Sequence, residues 1–122
     1  MTNSPDKTPR FSLSASGSGV KRNYRLHTTS NLVEASFSLY NGWEKRSLDL
    51  EQGEQIRLVL EQRLKAGSIH CEVCTPDGSP ILRLGDTPID EKEFNATVKG
   101  KYPIRVTAEN ASGYYRLELL NG

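Results

Sequence analysis

The amino-acid sequence predicts an all-β domain, an antiparallel β-sandwich or jelly roll of about seven to nine strands. Three observations carry that prediction. Apolar residues recur with a period of two in run after run, putting hydrophobic side chains on one face and polar ones on the other. Pairs and triplets built on Gly, Asn, Asp and Pro separate the runs. Helical periodicity competes in one segment only. The 122 residues suit a single domain, long enough to bury a core without disulfides or metal.

Residues 1 to 19 are dominated by Ser, Thr, Gly, Pro and Asn, with Phe11 and Leu13 as the large apolar side chains. Such a composition cannot offset its ordering entropy by burial. The segment is therefore expected to be a flexible leader, with Phe11 and Leu13 available to extend a sheet edge, and residues 20 to 122 to form the sandwich. Lys7, Arg10, Lys21, Arg22 and Arg25 make the leader and its junction basic.

The strands follow in order. Val33, Ala35, Phe37 and Leu39 form the first clear alternation, then Ile56, Leu58 and Leu60, then Ile69, Cys71 and Val73. Leu82 and Leu84, then Phe94, Ala96 and Val98, continue it. Tyr102, Ile104, Val106 and Ala108 precede the closing run of Tyr115, Leu117 and Leu119. Turns are expected at Asn41-Gly42, Gln52-Gly53, Ala66-Gly67, Pro76-Asp77-Gly78, Lys99-Gly100 and Ser112-Gly113. Glu54 to Leu64 is the helical competitor, since Ile56, Val59, Leu60 and Leu64 also fit a 3.6-residue period. Gly53 and Gly67 bracket it, and its neighbours are strands, so the β assignment is preferred. Burying each large inward side chain contributes roughly 1.5 to 3 kcal/mol, enough for the two sheets to close on each other without a helix.

Sixteen basic and fifteen acidic side chains leave a net charge of +1, which gives no electrostatic reason to expect nucleic acid. No apolar run is long enough for a transmembrane helix. Motifs of the G-x-S-x-G, H-E-x-x-H, P-loop and G-x-G-x-x-G types are absent, so an enzyme is not expected. Cys71 and Cys74 lack the second ligand pair of a zinc site, and on an extended strand they sit too far apart for a disulfide. His70 falls on the face opposite Cys71, and His27 stands alone in sequence.

Candidate ligand-binding residues are therefore aromatic. Tyr40, Trp43, Tyr114 and Tyr24 are the side chains that could stack on a sugar ring, with Trp43, just after Asn41-Gly42, read as either a loop-tip platform or a lid over the end of the sandwich. The acidic stretch Gly85 to Glu93 includes Asp86, Asp90 and Glu91, an oxygen-rich loop of the kind that holds Ca²⁺ in β-sandwich modules. The competing reading is a solvated loop that protects a strand edge. No other cofactor is expected.

Two stretches carry a family resemblance. Gly100-Lys101-Tyr102-Pro103-Ile104-Arg105-Val106, followed by Ser112-Gly113-Tyr114-Tyr115-Arg116-Leu117-Glu118-Leu119, resembles the last two strands of bacterial pre-peptidase C-terminal (PPC-type) domains. Ala66-Gly67-Ser68-Ile69 with Thr75-Pro76-Asp77-Gly78 is similar to a hairpin of small β-sandwich lipoproteins and secreted proteins of Gram-positive bacteria. The resemblance implies an extracytoplasmic, non-catalytic binding or accessory module, reached through a leader such as residues 1 to 19 and tethered in the native form by lipid. Its expected partner is a protein or polysaccharide. The alternatives are a structural or self-assembly module, or a carbohydrate- or Ca²⁺-binding domain.

Overall fold

The computed structural model describes residues 10–12 and 15–121. Among the described residues there are eight strands: β1 (Arg10–Phe11), β2 (Ser16–Arg22), β3 (Arg25–Thr29), β4 (Leu32–Leu50), β5 (Gln55–Cys74), β6 (Pro80–Leu84), β7 (Ile89–Asn95) and β8 (Gly100–Asn121). All pairings are antiparallel. No described helix is long and apolar enough to cross a membrane.

Three strands organise everything else. β4, β5 and β8 run for 19, 20 and 22 residues, and β8 lies between the other two. Their partners change halfway along. The first part of β4 pairs with β3 and the end of β8, which pairs in turn with the first part of β5, flanked by β7. The second part of β4 pairs with β2 and β1 and with the start of β8, which pairs with the second part of β5, flanked by β6. Two layers result, each five strands wide, joined by three strands that pass through both. The inward side chains of the two layers form one core cluster, in which Phe94 of β7 packs at 6.1 Å against Tyr102 of β8.

The turns expected at Asn41-Gly42, Ala66-Gly67 and Ser112-Gly113 are thus bends inside long strands. The register slips at each: between Phe37, Tyr40 and Gly42 on β4, and between Leu64, Ala66 and Ser68 on β5 against β8. A bulge of this kind sharpens the twist and lets one strand serve two sheets. It also shifts the buried phase. Val33, Ala35 and Phe37 point inward at odd positions, then Tyr40, Glu44, Leu48 and Leu50 at even ones. β5 passes from Ile56, Leu58 and Leu60 to Ile69, Cys71 and Val73, and β8 from Tyr102 through Ala108 to Ala111, Tyr115, Leu117 and Leu119. Leu39, expected inward, is therefore only partly buried, and Tyr40 takes its place.

The bends demand glycine where two strands touch. Gly67 has φ +78°, and a Cβ there would lie 2.3 Å from the carbonyl oxygens of both Glu109 and Asn110. Gly113 faces the carbonyl of Arg63, which a Cβ would approach to 2.2 Å. No L side chain fits either site without moving the partner strand.

Strand structure also reaches upstream of Val20. Phe11 is 2% exposed and opposes Leu48, and Ser16–Arg22 lies along β4, so the boundary set between residues 19 and 20 falls inside β2. Leu13 and Lys7 lie outside the described residues. Val98, expected inward, sits in a loop and is 50% exposed. Glu54 to Leu64 runs from the turn before β5 into the strand, as preferred over a helix.

Candidate functional site

Cross-strand register determines what each outer face presents, because residues opposite one another share a face. On the first layer the rows are short and legible. One runs Arg25, Ser36, Tyr114, Arg63 across β3, β4, β8 and β5. The next runs His27, Glu34, Arg116, Glu61, ending at Ile89 of β7. These rows line a groove of about 520 Å³ bounded by Leu32, Glu34, Glu61, Arg63, Tyr114 and Arg116. A smaller hollow of about 220 Å³ shares Glu34 and Tyr114 and extends it toward Arg25, His27 and Ser36.

The charges in this groove neutralise one another. Tyr114 Oη donates to Glu34 Oε2 at 3.0 Å, and Arg116 Nε lies 3.9 Å from the same oxygen. A terminal nitrogen of Arg116 lies 3.7 Å from Glu118 Oε2. Arg63 holds Glu61 Oε2 through two nitrogens, at 2.9 and 3.0 Å. Burial, followed by the hydrogen bond to the Glu34 carboxylate, raises the Tyr114 phenol above its ordinary value, so it remains a donor at neutral pH. His27 faces Glu34 across the ladder, yet no hydrogen bond joins them, and Glu34 is engaged by Tyr114 and Arg116. The groove offers fixed donors and acceptors beside one aromatic ring.

The other predicted residues lie elsewhere. Tyr40 is fully buried, packed edge-on against Tyr24 and Phe37 with ring centroids 5.5 Å apart, and cannot serve as a stacking platform. The bulge before it turns its side chain inward. Trp43 is neither a loop tip nor a lid, because Asn41-Gly42 lies within β4. Its indole sits on the outer face of the second layer, with the Arg105 guanidinium 4.7 Å from its centroid.

The expected Ca²⁺ residues do not converge. Asp90 Oδ2 accepts the amides of Gly85 at 3.0 Å and Asp86 at 3.4 Å, capping the turn, while Glu91 pairs with Arg57 at 3.3 Å. Among the described residues no group of three or more His, Cys, Asp or Glu side chains is placed to hold a metal ion. Cys71 is buried in the core and Cys74 partly buried, both as free thiols. Burial, then the nearby Glu72, pushes the Cys71 thiol far up.

Register also reveals groups that sequence inspection passed over. Glu34, Glu61, Arg63 and Arg116 come from three strands far apart in sequence. Glu44 is a buried carboxylate, 5% exposed, whose Oε1 accepts Lys21 Nζ at 2.8 Å and the Tyr24 hydroxyl, and whose Oε2 accepts Arg46 at 3.2 Å. Its phase gives a signal: Glu44 alternates in step with the buried Leu48 and Leu50. Desolvation raises the Glu44 carboxyl, but hydrogen bonds from Lys21 and Tyr24, with the charges of Lys21 and Arg46, outweigh it and hold the group below its ordinary value.

No protein-family model and no curated protein sequence matches the chain. Solved structures do. The fold is similar to a carbohydrate binding module of lichenase 5A from Cellvibrio mixtus, solved in complex with cellotriose. That match has a TM-score of 0.50 and 10% identity, over 95% of this chain and 97% of that one. It is also similar to part of the secreted serine protease VesC of Vibrio cholerae, with a TM-score of 0.51 and 9% identity, over 84% of this chain and 24% of the protease chain. At such identities the likeness shows a shared β-sandwich fold.

Proposed function

We propose, from a β-sandwich that shares its fold with a carbohydrate binding module, that this chain is a non-catalytic, extracytoplasmic binding module. Its ligand is a neutral polysaccharide, held across the outer face of the first layer. The groove at Tyr114 is the observation that carries the reading. Sugar hydroxyls both donate and accept, so they are matched by a surface that offers both without net charge. The rows Arg63–Glu61 and Glu34–Arg116 do this, since each ion pair retains free donor and acceptor positions after pairing. The Tyr114 ring supplies an apolar surface for the C–H face of a sugar, beside a hydroxyl already oriented by Glu34. Both groove and hollow lie along the sheet, an extended shape that suits a chain of sugars.

The test is affinity electrophoresis through gels containing mixed-linkage β-glucan or xylan, with the Tyr114→Ala and Arg116→Ala variants run alongside. The wild-type protein should be retarded by one of these neutral polymers, and Tyr114→Ala should migrate as if the polymer were absent. Unretarded wild-type protein in every neutral polymer, or retardation indifferent to Tyr114, would overturn the reading.

A further inference from the structure

The outer face of the second layer has a different electrostatic character. Its rows run Ser18, Trp43, Thr107, His70, then Ser16, Lys45, Arg105, Glu72, Arg83, and at the far end Arg10, Asp49, Lys101. Five cations, Arg10, Lys45, Arg83, Lys101 and Arg105, stand against three carboxylates, Asp49 and Glu72 in these rows and Glu109, which pairs with Ser68 in the next row. The first layer's outer rows hold four arginines, Arg25, Arg57, Arg63 and Arg116, against five glutamates, Glu34, Glu61, Glu91, Glu93 and Glu118. The chain's net charge of +1 thus conceals a basic face and a balanced one.

Pairing sharpens the contrast. On the first layer Arg57, Arg63 and Arg116 each have a glutamate within 4 Å. On the second, Lys101 pairs with Asp49 at 3.2 Å. Among the described residues no carboxylate lies within ion-pair distance of Lys45, Arg83 or Arg105, although Glu72 opposes two of them in the ladder. The central carbon of the Arg105 guanidinium lies 4.7 Å from the centroid of the Trp43 ring, and among the described residues its N–H groups have no hydrogen-bond or ion-pair partner. The planar fork of a guanidinium matches a carboxylate, which takes two parallel hydrogen bonds. Lys45 lies opposite Arg105 on the neighbouring strand, about 5 Å away across the ladder, and Arg83 lies two strands beyond Arg105. A groove of about 350 Å³ along Ser16, Lys45, Ser47, Lys101 and Pro103 continues the cationic track.

We infer that the outer face of the second layer is a second binding surface, whose ligand is a carboxylated polysaccharide anchored by Arg105 on Trp43 and by Lys45. Charge complementarity selects an anion, the Arg105 fork selects a planar one, and cations spread over several strands select an extended polymer with one charge per sugar ring. That the polymer is a polysaccharide rests on the reading of the chain as a glycan-binding module; the site itself shares no residue with the Tyr114 groove.

The probe is polygalacturonate, titrated calorimetrically at low and at near-physiological salt against wild-type protein and the Lys45→Gln/Arg105→Gln double variant. A Trp43→Ala variant and an Arg57→Gln/Lys65→Gln variant, which removes the same charge elsewhere, complete the set. Wild-type protein should bind polygalacturonate, more weakly as salt rises. The double variant should lose about tenfold or more in affinity and Trp43→Ala a smaller factor, while the charge control binds as wild type. All the substituted side chains but Trp43 and Arg57 are exposed, so unchanged circular dichroism will show that the double variant is folded. Absence of polygalacturonate binding at low salt, or an equal loss in the charge control, would overturn the inference. So would tighter binding to dextran sulfate, or equal binding to phosphatidylglycerol vesicles through the same residues. Neutral-polymer binding reads Tyr114 and polygalacturonate binding reads Lys45 and Arg105, so loss of one with retention of the other identifies which reading has failed.

Discussion

Replacing Glu44 by leucine removes the carboxylate that joins Lys21, Tyr24 and Arg46 in the interior. The Glu44 side chain is 6% exposed and that of Arg46 8%, so the substitution leaves a guanidinium in a dry site with no counter-charge. Breaking a buried pair from one side costs about 3 to 5 kcal/mol, and the partly solvated Lys21, 32% exposed, reduces that to about 2 to 4 kcal/mol here. For a chain of this length each kcal/mol shifts Tm by about 3 to 5 °C, so a fall of roughly 10 °C is expected. Glu44→Gln keeps the shape and an acceptor but loses the charge, and should cost about half as much. The carboxyl is held below its ordinary value in the folded state, so its contribution is complete above about pH 4.5 and fades as pH falls through the lowered value. Thermal unfolding followed by circular dichroism at pH 7 and in acid will therefore show the gap between wild type and Glu44→Gln narrowing below about pH 4.5. A gap that is constant with pH would refute the electrostatic account, as would a Glu44→Leu variant as stable as wild type. Substituting all three charged partners with Met or Leu should recover much of the loss, because no lone buried charge then remains.

Two further outcomes follow from the same packing. Gly67→Ala puts a methyl group against the Glu109 and Asn110 carbonyls in a backbone conformation that favours glycine, so urea denaturation should show a loss of more than about 2 kcal/mol; a loss under about 0.5 kcal/mol would mean that the bend is not fixed there. Reaction with a thiol-specific chromophore should label Cys74 in the native protein and Cys71 only on unfolding; native labelling of Cys71 would contradict its burial.

Most of the inward residues were legible because alternation is a local property. Ile56, Leu58, Leu60, Ile69, Cys71, Val73 and the Tyr102 to Ala108 run are buried as their spacing indicates. The three glycine-marked bends were misread because a tight turn and a bulge use the same residue for the same reason, relief of steric conflict at the backbone. The distinguishing signal was parity: inward positions change from odd to even, or the reverse, across each bend, whereas a hairpin imposes no such relation. Resemblance at Gly100 to Leu119 suggested two strands, and these are the two arms of β8. The site was less legible. Tyr114 was singled out and does line the groove, but Glu34, Glu61 and Arg116 acquire meaning only when β8 is placed between β4 and β5, a fact of topology that no local pattern contains. Tyr40 was chosen for its aromaticity alone, and a single added residue upstream turned it into the core.

The placement of β8 has a consequence for how the molecule is made. β4 and β5 are consecutive in the chain, yet neither bonds to the other, and the strand that joins them in both layers comes after every other described strand. A ribosome releasing this chain therefore delivers two long strands, each with unpaired backbone edges, well before their common partner appears. Each layer lacks its own central segment until then, the second layer the start of β8 and the first layer its end. Folding should accordingly be slow, and until β8 emerges the exposed edges of β4 and β5 are where a chaperone would be needed.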